Sequence, residues 1–286
     1  MEGFLLGLLS ALSFGTADFV AGLTSRRIGS YTTLFYMQIV GVIGLGAYLL
    51  FNGNWNVYID HMDAVGMAML FMGIDLIGIL CLYQGLATGN ISVVAPITSS
   101  FAAVTVTLAV IFGERPSLIV VIGIILSIAG VIFASQKFGS ISNKEKFTLS
   151  NKGTLWAILS SLFLGIAFFG LKYPTLEIGP FMTVWIGRLQ SVILLPLILV
   201  IANQKWRKPK KKSIYQLILV GALDVIAILS YNFGLLQADT TIVITLTSLF
   251  AVVTIIWGLL FLSEKLKWNQ IVGITSILAG LILIAQ

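Results

Sequence analysis

Four charged side chains stand inside long apolar runs: Asp18, Asp75, Arg188 and Asp224. A charge near the centre of a bilayer costs about 2.5 kcal/mol or more, so such groups face a bundle interior and find partners there. Three carboxylates against one guanidinium leave an excess of acid. That excess can take up and release a proton, or bind a cationic or zwitterionic solute. Arg188, a fixed planar donor, is suited to a substrate carboxylate. A structural alternative stands beside this: Arg188 pairs with one aspartate, and the others are protonated or bonded to Ser, Thr and Asn. Tyr83, Gln84, Ser99 and Trp185, with Tyr231, Asn232 and Ser248, complete a candidate polar cavity at mid-membrane depth. Taken singly, each is as well explained by packing or by helix–helix hydrogen bonding.

Other chemistries lack their residues. The only histidine, His61, lies in a connection, and the only cysteine, Cys81, lies inside an apolar run. No disulfide framework, metal site or nucleophile with its base can be assembled, and no Gly-x4-Gly-Lys-Ser/Thr loop is present. The chain therefore reads as neither an enzyme nor a self-contained ATP-driven pump, with no cofactor and no metal.

The elements that must position these charges follow from composition. The chain is 58% apolar and only 10% charged, whereas soluble domains average about 25% charge. Spanning a hydrocarbon core takes about 20 apolar residues per helix. Ten stretches qualify, near residues 3–23, 31–52, 64–88, 92–112, 118–135, 153–172, 180–202, 214–237, 241–262 and 269–285. Their length, their Leu, Ala and Gly content and the absence of strict alternation favour helices over a barrel. The first stretch lacks a basic segment before it and reads as a retained helix rather than a secretory signal.

The stretches are written twice. Adding 150 to Gly3, Ser10, Gly15, Ala17 and Phe19 gives Gly153, Ser160, Gly165, Ala167 and Phe169. Adding 149 to Asp75, Gly85, Thr98, Ser99 and Phe101 gives Asp224, Gly234, Thr247, Ser248 and Phe250. At the end the offset is 150 again, pairing Glu114 with Glu264, Gly123 with Gly273 and Gly130 with Gly280. The division is a first five-helix repeat at 1–135, a polar linker at 136–152 and a second repeat at 153–286. Five crossings per unit oblige the second copy to enter from the opposite face, so the expected fold is an all-α polytopic membrane protein of two inverted repeats. Asp75 and Asp224 are repeat mates. Arg188 faces a neutral mate, Gln38, and Asp18 an apolar one, Phe168.

Charge in the connections sets the orientation. Fourteen of the seventeen Lys and Arg residues lie in connections after odd-numbered stretches, among them Arg26, Arg27, Lys144, Lys146, Lys152 and the Lys205 to Lys212 run. Only Arg115 and Lys172 lie in the opposite set. Positive residues stay cytoplasmic, so the basic connections are expected inside and both termini outside the cytoplasmic membrane. The net charge of +6 thus reads as topology rather than as nucleic-acid binding, and the Lys205 to Lys212 run is either a solvated loop or a contact for anionic lipid.

Gly3, Gly7, Ala11 and Gly15, with Gly153, Ala157, Ser161 and Gly165, form two stripes at four-residue spacing, as close-packed helices require. A more specific pattern is a helix, an acidic turn and a Gly-rich helix. It reads Phe112-Gly113-Glu114-Arg115-Pro116 followed by Gly123 and Gly130, and again Leu262-Ser263-Glu264-Lys265 followed by Gly273 and Gly280. With Val93-Val94-Ala95-Pro96-Ile97 before it, the chain resembles the EamA repeats of the drug/metabolite transporter superfamily along its whole length. The resemblance implies a transporter and says little of substrate. Pro96 is the candidate hinge or helix break. Its mate is Thr245, so a break in the second copy is expected to be weaker or absent. Glu114 and Glu264 are expected to anchor a turn at the interface or to cap the helix that follows.

The function expected is secondary active transport of small metabolites by alternating access, coupled to protons, for a small cationic or zwitterionic solute such as an amino acid. A carrier of sugars or nucleotide derivatives, a channel, and a non-transporting scaffold are the alternatives. Expected partners are the substrate, membrane lipid, protons and, as an option, a second copy in a homodimer.

Overall fold

The computed structural model describes residues 2–53, 55–113, 117–135, 152–238, 240–264 and 266–284. These are helical, with no strand among them. The first repeat holds α1 (Glu2–Ile28), α2 (Ser30–Asn52), α3 (Trp55–Asp60), α4 (Met62–Thr88), α5 (Ile91–Ser99), α6 (Phe101–Ile111) and α7 (Leu118–Ser135). The second holds α8 (Lys152–Gly170), α9 (Lys172–Ile201), α10 (Lys211–Gln237), α11 (Thr240–Ser248), α12 (Phe250–Leu262) and α13 (Trp268–Ile284). Residues 136–151 of the polar linker and the turn from Glu114 to Pro116 lie outside the described residues.

Eight helical stretches are long and apolar enough to cross a membrane, with α5–α6 and α11–α12 each counting as one. The apolar helices at Leu118–Ala134 and Trp268–Ile284 are shorter, about 26 Å at 1.5 Å per residue. Of the ten expected spans, eight are thus full-length helices and two are shorter apolar ones. Short α3 occupies a connection that the apolar pattern leaves as loop. Gly29 (φ 91°) separates α1 from α2, and its mate Gly179 (φ 79°) bends α9. Positive φ suits glycine, and Pro180 next to it has the fixed φ that a first helical turn prefers. Residues 172–178 therefore continue the course of α8, and the long limb of α9 starts at Pro180.

The two repeats interlock. Helix α1 packs on α10, α11 and α12, while its mate α8 packs on α4, α5 and α6. A Cβ at Gly15 would lie 2.5 Å from the Phe250 carbonyl oxygen, and one at Gly165 would lie 3.0 Å from that of Phe101. Glycine is what allows both approaches. The contacts are sealed by matching hydrogen bonds: Thr254 Oγ1 donates to the Gly15 carbonyl at 3.1 Å and Thr105 Oγ1 to the Gly165 carbonyl at 2.9 Å. Gly3 abuts Ala238 at the end of α10, whereas Gly153 abuts Gly89 just past the end of α4. Arg26, in the last turn of α1, donates to the carbonyl of that same Gly89 at 2.7 Å, so α8 begins where α1 ends and the two start at opposite ends of the bundle. The last helices of the repeats, α7 and α13, pair with each other at the periphery.

Both copies of the fourth span are interrupted at the same place by a single residue whose backbone stays in the right-handed helical region, Ser100 (φ −63°, ψ −3°) and Leu249 (φ −67°, ψ −3°). Helix α5 ends at Ser99 and α6 starts at Phe101; α11 ends at Ser248 and α12 starts at Phe250. At the break the Ser100 amide turns to the Ile97 carbonyl and the Leu249 amide to that of Leu246, three residues back instead of four. Ser99 Oγ donates to the Pro96 carbonyl at 2.8 Å, and Ser248 Oγ to the Thr245 carbonyl at 2.6 Å. The expectation of a weaker or absent second break is thus corrected. The copy without proline breaks as the other does, because the serine in each takes up the carbonyl beside the break.

Candidate functional site

Asp75 and Asp224 each occupy the centre of a 27-residue helix, α4 and α10. A helix that long carries its middle residue about 20 Å from either end. Asp18 comes from α1 and Arg188 from the long limb of α9. The fold brings all four to one cavity, whose remaining lining is Phe14, Ile79, Leu82, Phe101, Leu164, Phe168, Ile228 and Phe250. Its volume is about 30 Å³, which is room for about two waters.

The wall is built from repeat mates. Phe14 and Leu164, Asp18 and Phe168, Asp75 and Asp224, Ile79 and Ile228, and Phe101 and Phe250 are the same positions in the two copies. The cavity therefore lies between the repeats and belongs to both. Phe101 and Phe250, the first residues after the two breaks, stack with ring centroids 6.1 Å apart and planes 21° apart. Phe168 stands 4.9 Å from Phe101 and 6.4 Å from Phe14.

Electrostatically the cavity has one closed pair and two open acids. Arg188, 1% exposed, bonds Asp224 through Nη2 and donates through Nη1 to Gln38 Oε1 at 2.8 Å. Gln38 is the repeat mate of Arg188, so a neutral copy of the position has become its partner. Asp18 and Asp75 are 6% and 3% exposed and have no hydrogen bond or ion pair among the described residues. A buried carboxylate so placed is a demand for a proton or a cation.

The other sequence candidates do not reach the lining. Tyr83 is buried with its hydroxyl 2.9 Å from Met37 Sδ, and Tyr231 donates to the Phe168 carbonyl at 3.1 Å. Trp185 Nε1 donates to the Val42 carbonyl at 3.3 Å, its ring packed edge-on to Trp55. Ser99 and Ser248 serve the breaks, as a hydroxyl in a helix does when a carbonyl is within reach. Gln84 is half-buried on α4, outside the wall. Asn232 is fully buried, and both atoms of its amide lack partners among the described residues. The phenylalanines, in turn, carried no signal as wall residues, although the Phe101 and Phe250 match was visible in the duplication.

A second cluster closes one end of the bundle. Both carboxylate oxygens of Glu264 accept backbone amides at the start of α5, from Ile91 at 3.0 Å and Ser92 at 2.8 Å. A carboxylate there satisfies the free amides and the positive pole of the helix. Arg26 donates to the Leu86 and Gly89 carbonyls at 3.1 and 2.7 Å and lies 3.8 Å from Glu264. Glu264 is thus a cap, but for a helix of the other repeat rather than for the α13 that follows it. Its mate Glu114 lies outside the described residues.

Comparison with known proteins bears on the whole chain. Two copies of the EamA-like transporter family pattern match, at residues 1–136 and 151–286. An uncharacterized protein of Methanocaldococcus jannaschii is 32% identical over 133 residues, covering 46% of this chain and 94% of its own. A Sinorhizobium protein described as an uncharacterized transporter in the cobO 3' region is 30% identical over 143 residues, covering 48% of this chain and 99% of its own. Each relative therefore corresponds to about half of this chain. A solved crystal structure of a protein with no stated activity aligns over 99% of this chain and 97% of its own, with a TM-score of 0.70 at 14% identity, a likeness of fold alone.

Proposed function

This chain belongs to the EamA-like transporter family, and on that premise we propose that it is a secondary active carrier working by alternating access across the cytoplasmic membrane. Membership, with the apolar helices, makes it a multi-pass membrane protein of transport rather than an enzyme. The carrier has ten spans in two inverted five-helix repeats, with the boundaries 1–135 and 153–286. Its basic connections face the cytoplasm and its termini face outward. The observation that carries this reading is a buried charged cavity walled by the same positions of both repeats. Supporting it, α1 and α8 begin at opposite ends, as inverted copies do. The breaks before Phe101 and Phe250 give each repeat a place to bend beside the cavity.

The substrate is a small cationic or zwitterionic solute, and the open acid Asp75 carries the coupling proton. Counterflow in proteoliposomes tests the carrier. With amines, amino acids or sugars preloaded, the account expects saturable uptake of the labelled species, accelerated by unlabelled solute on the far side. Flux that rises linearly without acceleration would make the protein a channel, and no flux with any of them would contradict the substrate class stated here.

A further inference from the structure

We infer that the cavity between the repeats takes an organic ammonium ion with an aromatic or apolar body, held by Asp18 and Asp75, and discriminates against the same body bearing a carboxylate. The inference rests on the carrier reading and narrows its cationic or zwitterionic solute to a cation.

Arg188, the one group that could receive a substrate carboxylate, is already engaged. Its Nη2 is on Asp224 and its Nη1 on Gln38, which leaves only the buried Nε without a partner among the described residues. A bidentate grip on a carboxylate needs two free nitrogens on one edge of the guanidinium. Here an incoming carboxylate would also meet the Asp224 it must displace. The two unpartnered carboxylates, Asp18 and Asp75, are more than nine-tenths buried and line the same space. With three acids to one guanidinium, a cation brings the cavity toward neutrality and an anion takes it further away.

The rest of the lining selects the body. Beside the four charged groups the wall is entirely hydrocarbon, with no hydroxyl or amide side chain. A sugar or a nucleoside would leave most of its polar atoms unpaired there. Phe14, Phe101, Phe168 and Phe250 instead put four aromatic rings in the wall, a side-chain type that attracts a cation and packs on an apolar group. A ligand larger than about two waters must displace part of the wall, which includes the Phe101 and Phe250 rings. These stand immediately after the two helix breaks, so ligand entry and helix bending act on the same residues.

Three compounds with one ring and different charge provide the test on the purified full chain: phenethylamine, phenylalanine and 3-phenylpropionate. Binding is read by calorimetry and by the shift in Tm. Phenethylamine is expected to bind saturably and about tenfold or more tighter than phenylalanine, with 3-phenylpropionate inert. Asp18→Asn and Asp75→Asn should each weaken phenethylamine about tenfold, and Asp18→Glu, which keeps the charge, should restore most of the loss. Equal or tighter binding of phenylalanine or 3-phenylpropionate would overturn the inference. So would wild-type affinity in both Asn variants, or no binding of any of the three. If a variant fails to fold, the three-compound comparison on the wild-type chain decides. Counterflow of phenylalanine with phenethylamine inert would sink the ligand class and leave the carrier standing. Binding of phenethylamine without counterflow would do the reverse.

Discussion

The first repeat supplies the cavity with two carboxylates and no cation, and the second supplies one carboxylate already neutralised by Arg188. Elsewhere the copies agree down to single hydrogen bonds: Thr105 on Gly165 against Thr254 on Gly15, and Ser99 on Pro96 against Ser248 on Thr245. The difference separates two jobs. Positions shared by the copies build the interlock and the bends, which a symmetric machine needs twice. Positions that differ, Asp18 against Phe168 and Gln38 against Arg188, give the cavity its polarity, which is needed once.

The largest expected effect breaks the second repeat's closed pair. Arg188→Met leaves Asp224 buried without its partner and should cost roughly 3–5 kcal/mol of stability. Thermal or denaturant unfolding of the purified protein measures it, and adding Asp224→Leu should recover most of the loss. If the double variant stays as unstable as the single, the pair is not the closed unit described here.

The smallest effect lies at a position that differs between the copies without changing the bend. Pro96→Ala should change stability by less than about 1 kcal/mol, because Thr245 occupies the same place in an equally broken span. Collapse of the protein on this substitution would return the hinge to the proline and remove the shared-bend argument.

Legibility in the sequence followed cost. A charge inside an apolar run is expensive enough to stand out, so Asp18, Asp75, Arg188 and Asp224 were readable and do meet. The doubled pattern was readable because its offset changes by only one residue over the chain. Phenylalanine among leucines has no such signature, so the aromatic wall was invisible until α6 and α12 were seen to begin with it. Ser99 and Ser248 are candidates by pattern whose hydroxyls turn to backbone carbonyls in the structure, because a helical hydroxyl has a carbonyl of its own turn within reach and pattern cannot tell whether it takes it. The break at Leu249 was missed for a related reason: a hydrogen bond moved from the fourth to the third residue back leaves no composition trace. Glu264 was readable as a cap but not for its helix, since the amides it holds are 172 and 173 residues away in the chain.

The most direct measurement asks whether the cavity is reachable from each side in turn. Cys81 is the only cysteine, so a Cys81→Ser background carrying Ile79→Cys or its repeat mate Ile228→Cys places one thiol in the wall. A membrane-impermeant thiol reagent is then applied to the outer face of intact cells or to the inner face of inverted vesicles. Alternating access predicts that each position labels from both faces, that excess phenethylamine lowers both rates, and that conditions favouring one face disfavour the other. Labelling from one face alone, or labelling from both that rises and falls together, would contradict a carrier whose site is passed between the two repeats.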